Sequence, residues 1–267
     1  MTNDLEAEYN NRTKIADFES IVAGWARDSA SFLATRPHAD MALQYGPTER
    51  QALDLFWPEG VTDPPVAMFI HGGYWQALDR SFCSHLACGL LAHGVAVAIP
   101  SYNLCPTIPL AELVEQLRRA AAFLHTRYRK PLLAIGHSAG GHLSAMLLAT
   151  DWQARGLPEN LVCAALPISG LFDLAPLIST SINTGLRLDQ DEAHRLSPLF
   201  LPSPGWPIHA YVGGEEGPEF ARQSRSIAKA WGGTSTSIAN ENHLTILAHL
   251  ADPSSPMVRS ALQLMTR

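Results

Sequence analysis

Residues 132–149 read LLAIGHSAGGHLSAMLLA. Four apolar residues lead into Gly136-His137-Ser138-Ala139-Gly140, and a second apolar run of helical length follows. A strand that reverses at once into a helix needs a very sharp turn. Glycines two positions either side of the apex let the backbone pass closely, and the apex residue, Ser138, keeps its hydroxyl exposed at the helix N-terminus. A bare GxSxG arises often by chance, so the strand before it and the helix after it carry the signal.

Working outward from this turn, short apolar runs recur at VAMFI (66–70), VAVAI (95–99), CAALPI (163–168) and IHAYV (208–212). Strands covered on both faces lose the alternating pattern, so these runs predict a mostly parallel sheet. The intervening stretches fit crossover helices. Residues 109–128 place Leu110, Leu113, Leu117, Ala121 and Leu124 at helical spacing, and 218–231 opens with Pro218. MALQYG (41–46) and ALDLFWP (52–58) predict an antiparallel hairpin at a sheet edge, and residues 1–36 predict helical packing. The fold class is α/β in a single domain over 1–267, with helices flanking the sheet. The stretch from 169 to 207 is longer than a simple crossover and reads as a small cap.

Composition narrows the partners. The chain has 267 residues, 46% apolar and 16% charged, which predicts a packed core rather than disorder. Its formal net charge of -6, with no Lys/Arg run, gives no reason to expect nucleic acid or an anionic membrane surface. The acidic start MTNDLEAEYNNR lacks the basic and apolar regions of a signal peptide, so a cytoplasmic location is expected. The charge-free stretches 81–111 and 131–150 are each interrupted by His, Gly and other turn residues, against a membrane span. Cys83, Cys88, Cys105 and Cys163 form no CxxC pair and read as reduced core thiols. The sequence leaves a homodimer open.

The remaining signals concern chemistry at Ser138. HGGYW (71–75) follows the VAMFI strand directly, where backbone N–H donors are needed for a developing oxyanion. The amides of Gly73 and Tyr74, with that of Ala139, are the candidates, and Gly72 is the alternative to Tyr74. His71 reads as a loop anchor, and Tyr74 and Trp75 as lining for an acyl or aryl pocket. A base and its orienting carboxylate are expected in the order Ser, acid, His. GGEEGPEF (213–220) follows the IHAYV strand and supplies Glu216, with Glu215, Asp189 and Asp191 as alternatives. His243, after the strand-like TSTSIA, is the candidate base, since His209 and His249 sit in apolar runs. His137 and His142 lack a third clustered ligand, so no metal is expected, and no glycine-rich nucleotide loop or other cofactor signature is present.

These motifs together resemble the kynurenine formamidase (arylformamidase) branch of the α/β-hydrolases, related to the hormone-sensitive-lipase-like esterases. HGGYW is similar to that branch's HGGxW oxyanion motif. The resemblance extends through EYNNR (8–12), GHSAGGHL (136–143), SGLFDLAPL (169–177), GPEFARQS (217–224) and NHLTIL (242–247). It implies Ser138 as nucleophile, His243 as base, Glu216 as acid and the Gly73 and Tyr74 amides as oxyanion donors. The branch usually has aspartate where Glu216 stands, so this chain departs from it there. A small aryl formamide such as N-formylkynurenine is the implied substrate, cleaved through an acyl-enzyme. A carboxylesterase acting on short acyl esters is the alternative. A non-catalytic small-molecule receptor on the same fold is a third reading, against which the full Ser, acid and His set argues.

Overall fold

The computed structural model describes residues 4–35 and 38–266. Its strands are β1 (Ala39–Gln44), β2 (Ala52–Phe56), β3 (Val66–Ile70), β4 (Ala96–Pro100), β5 (Leu132–His137), β6 (Val162–Ile168), β7 (His209–Gly213) and β8 (Thr234–Ile238). They form one sheet in the order β1-β2-β4-β3-β5-β6-β7-β8. The β1–β2 and β2–β4 pairs are antiparallel and the others parallel, as the apolar runs and the hairpin predicted. Each predicted run lies within two residues of its strand. This is the α/β-hydrolase fold.

The central strands explain their own composition. Val66, Met68 and Ile70 of β3 enter one apolar layer, while Ala67 and Phe69 enter the other. Leu132 and Ala134 of β5 alternate in the same way with Leu133 and Ile135. Both faces are covered, so no position can be polar without losing water, and the period-2 pattern disappears. Helix α1 (Phe18–Thr35) and the C-terminal α5 (Pro256–Met265) cover one face. The helices α2 (Leu110–Tyr128), α3 (Ala139–Leu148) and α4 (Pro218–Trp231) cover the other. The edge strands β1 and β8 are exposed and more polar.

Parallel pairing aligns the strand ends that matter. Ile70 of β3 faces Gly136 of β5, and His137 faces Ile168 of β6. The loops after β3, β5, β6 and β7 therefore open at one end of the sheet, where sites collect in open α/β folds. Residues 169–207 contain no strand and only short helical turns, the longest being Gln190–Arg195. Ahead of α1 lie two short helices, Leu5–Tyr9 and Asn11–Lys14. Helix was expected over 1–36, and residues 1–3 and 36 lie outside the described residues. No described helix is long and apolar enough to cross a membrane.

Candidate active site

The turn between β5 and α3 is as tight as the sequence requires. A Cβ on Gly136 would lie 2.0 Å from the Gly140 carbonyl oxygen, and one on Gly140 would lie 2.0 Å from that of Ile70. Only glycine fits at either position. Ser138 sits at the apex with φ +55° and ψ -117°, a conformation that costs a side-chain-bearing residue energy and is kept only where the surroundings enforce it. All ten residues of α3 are buried, which anchors the helix that follows.

The loop after β3 is wound just as unusually. Gly73, Tyr74 and Trp75 have consecutive positive φ values of +101°, +49° and +58°. The Gly73 carbonyl accepts from the amides of Gln76 (2.9 Å) and Ala77 (3.0 Å), and the Cys105 amide donates to the Trp75 carbonyl at 2.8 Å. The amides of Gly72, Gly73, Tyr74 and Ala139 donate to no acceptor among the described residues. A Cβ on Gly72 would lie 3.1 Å from the Ser138 Cβ, so this loop rests against the serine turn. His71 stands beneath it, stacked on Tyr102 at 4.2 Å, and the Tyr102 hydroxyl donates to the His71 carbonyl at 2.7 Å. Burial pushes the His71 imidazole down to about 4, so it is neutral, and its Nδ1 donates to the Gly72 carbonyl at 2.8 Å, the hydrogen-bonded anchor that the sequence predicts.

Glu216 and His243 come together at the ends of β7 and β8. His243 Nδ1 donates to Glu216 Oε2 at 2.6 Å. The other carboxylate oxygen accepts from the Gly213 amide (2.6 Å) and the Ser169 hydroxyl (2.5 Å). The Glu216 side chain is wholly shielded from solvent. Glu215 is exposed, Asp191 is exposed, and Asp189 caps the 190–195 helix by accepting from the Glu192 amide. Glu216 therefore meets the imidazole, and the other acids considered do not. His249 pairs with Glu241 and His209 with Thr236, and neither bonds to Glu216.

A cavity of about 350 Å³ opens here, and Ser138, His243, Gly73 and Tyr74 all line it. Trp75 does not, contrary to its expected place in the pocket. Its indole is turned inward, where it is 0% exposed and meets His142 edge-on at 5.1 Å. The cavity wall instead includes Phe18, Val22 and Trp25 from α1, with Asn10, Asn11 and Arg12 ahead of it. The sequence predicts helical packing for this N-terminal segment, and the one signal in it for a place at the site is the EYNNR resemblance. Ser181 and Ile182, from the stretch read as a cap, also reach the cavity.

A further contact was not foreseen. His137 Nε2 donates to the His243 carbonyl at 2.7 Å, and the two rings lie 4.7 Å apart. A carbonyl only accepts, so the hydrogen is on Nε2. Burial holds His137 well below its ordinary pKa, and neutral. The residue beside the serine thus ties the turn to the loop bearing His243. His142 is likewise buried, its pKa pushed down to about 4, with Nε2 on the Leu196 carbonyl. Among the described residues no group of three or more His, Cys, Asp or Glu could hold a metal ion.

Fold and site define the class: an α/β-hydrolase with a serine turn, a loop of free amides and a His–Glu pair at one end of a mostly parallel sheet. Comparison with known proteins narrows it. The BD-FAE family model matches residues 53–165. A kynurenine formamidase from Salmo salar is 32% identical over 238 residues, covering 84% of this chain and 81% of the relative. One from Danio rerio is 31% identical with the same coverage. A solved structure from a Silicibacter species, provisionally called a thioesterase, is 34% identical and superposes with a TM-score of 0.89 over 99% of both chains. The chain belongs to the kynurenine formamidase family, and it is a hydrolase.

Proposed function

We propose that this hydrolase cleaves a small aryl formamide of the N-formylkynurenine kind through an acyl-enzyme on Ser138. The observation that carries the reading is the Glu216–His243 hydrogen bond of 2.6 Å beside a cavity shared by His243 and Ser138. Because His243 Nδ1 donates to the carboxylate, its Nε2 is the unprotonated nitrogen and takes the Ser138 proton as the hydroxyl attacks the formyl carbon. Glu216 fixes the imidazole and stabilises the imidazolium that forms. The amides of Gly73, Tyr74 and Ala139 receive the negative oxygen, Gly72 being the alternative to Tyr74. His243 then protonates the leaving aryl amine; water, giving a proton to His243, attacks the formyl carbon, and His243 returns that proton to the Ser138 oxygen as the ester bond breaks and formate leaves.

The formyl group needs almost no acyl pocket, and the aryl group meets Phe18, Val22, Trp25 and Tyr74. Residues 169–207 act as a cap through Ser181 and Ile182. The alternative substrate is a short acyl ester or thioester, a reading favoured by the name of the 34%-identical solved structure. Purified protein assayed on N-formylkynurenine and on short-chain aryl esters decides between them. The formamide reading predicts the higher kcat/KM on N-formylkynurenine, and a preference for the esters of tenfold or more would replace it with the esterase reading.

A further inference from the structure

Asn11 opens the short helix Asn11–Lys14 and is 6% exposed, yet its side-chain amide nitrogen has no hydrogen-bond partner among the described residues. Buried polar groups are almost always paired, and an unpaired one in a native fold calls for a cause. Its place in the structure supplies one. Asn11 lines the cavity that holds Ser138, and it also lines a second, adjoining cavity of about 290 Å³ beside Glu216. Among the described residues, only Asn11 and His243 line both.

The polar neighbours of Asn11 are already engaged. Asn10 donates to Glu6, and Arg12 pairs with Glu19 at the exposed rim. The Tyr9 hydroxyl donates to Glu219 at 2.8 Å and accepts from Gln223 at 3.0 Å. The Tyr74 hydroxyl donates to the Tyr9 carbonyl, and Glu6 accepts from both the amide and the hydroxyl of Ser181. The segment is therefore held from three sides, and Asn11 is its one buried donor left unused. A donor held in place before binding gives up little freedom when a ligand arrives.

We propose that the Asn11 carboxamide recognises the leaving-group half of the substrate by donating to a carbonyl oxygen carried on the aryl ring. This rests on the serine-hydrolase reading above. The oxyanion is met by the loop amides, so Asn11 is not needed there. His243, which shares both cavities with Asn11, must deliver its proton to the leaving nitrogen or oxygen. A donor beside His243 therefore faces the leaving group. The ketone that N-formylkynurenine carries ortho to its formamide is an acceptor of this kind.

The test is a cycle of two substrates and two enzymes. Formanilide is compared with 2-acetylformanilide, and phenyl acetate with 2-acetylphenyl acetate, on wild type, Asn11→Ala and the near-isosteric Asn11→Asp. The intrinsic effect of the acetyl group is common to all enzymes and cancels in the ratio of kcat/KM values. The proposal predicts that the acetylated-to-parent ratio falls about threefold to tenfold in both variants, the worth of one neutral hydrogen bond, mostly through KM. A ratio equal to wild type in both variants overturns it. So does an equal fall on parent and acetylated substrates, the mark of a structural role. The ester pair keeps the test valid if formamides are not cleaved at all.

Discussion

Glu215 and Glu216 are neighbours in one turn, and nothing in residue type or spacing separates them. What separates them is bonding: Glu216 takes the Gly213 amide and Ser169 hydroxyl on one oxygen and His243 on the other, whereas Glu215 is exposed. Glu216→Gln replaces an acceptor with a donor facing Nδ1 and selects the wrong imidazole tautomer, so kcat should fall by about 10²- to 10⁴-fold. Glu215→Gln should change it by less than about twofold, and steady-state kinetics on the two variants checks both. Trp75 shows the opposite failure of sequence reasoning. Its position in the loop after β3 makes it a natural pocket residue, but the indole packs inward against His142, a contact to a residue 67 positions away that the sequence does not reveal. Trp75→Ala should cost about 3–5 kcal/mol in urea denaturation. Selectivity among acyl chain lengths should stay as in wild type.

At the scale of elements, the sheet was legible because strands buried on both faces leave unbroken apolar runs, and the β5–α3 turn because two glycines there have no substitute. The pocket wall was not. Residues 10–25 mix polar and apolar side chains, and they are held over the site by hydrogen bonds of Tyr9, Glu6 and Tyr74 to partners more than sixty residues away in the chain and by packing of Phe18, Val22 and Trp25 on the sheet face. Contacts of that range leave no local pattern. Gly140→Ala tests the turn itself: its Cβ would lie 2.0 Å from the Ile70 carbonyl oxygen and 2.7 Å from that of His71, both backbone atoms. Helix α3 must shift, carrying Ser138 and the Ala139 amide with it. Displacement of about 1 Å costs on the order of 10²-fold in rate, so kcat should fall by at least that much, measured beside the thermal midpoint.

Across the whole molecule, three of the histidines buried at or near the site are held neutral by that burial. His71 and His142 are pushed down to about 4 and His137 well below its ordinary value, in each case chiefly by burial. The unfolded chain protonates them near pH 6.5, so below that pH the unfolded state binds more protons than the folded one. Stability should therefore be full above about pH 6.5 and fall as the pH drops toward 4, by up to about 3 kcal/mol for each of His71 and His142. Urea midpoints between pH 7.5 and 5 check this, and a flat profile would contradict burial of the neutral rings. The proposed mechanism turns on Ser138 as the nucleophile activated by His243. It is tested most directly by reacting the native protein with an aryl phosphonate and locating the adduct by peptide mass spectrometry. One phosphonyl group on Ser138, loss of turnover in proportion to labelling, and labelling slowed at least about 10³-fold in His243→Ala are the expected results. Full labelling with turnover intact, or an adduct on another residue that accounts for the lost activity, would contradict it.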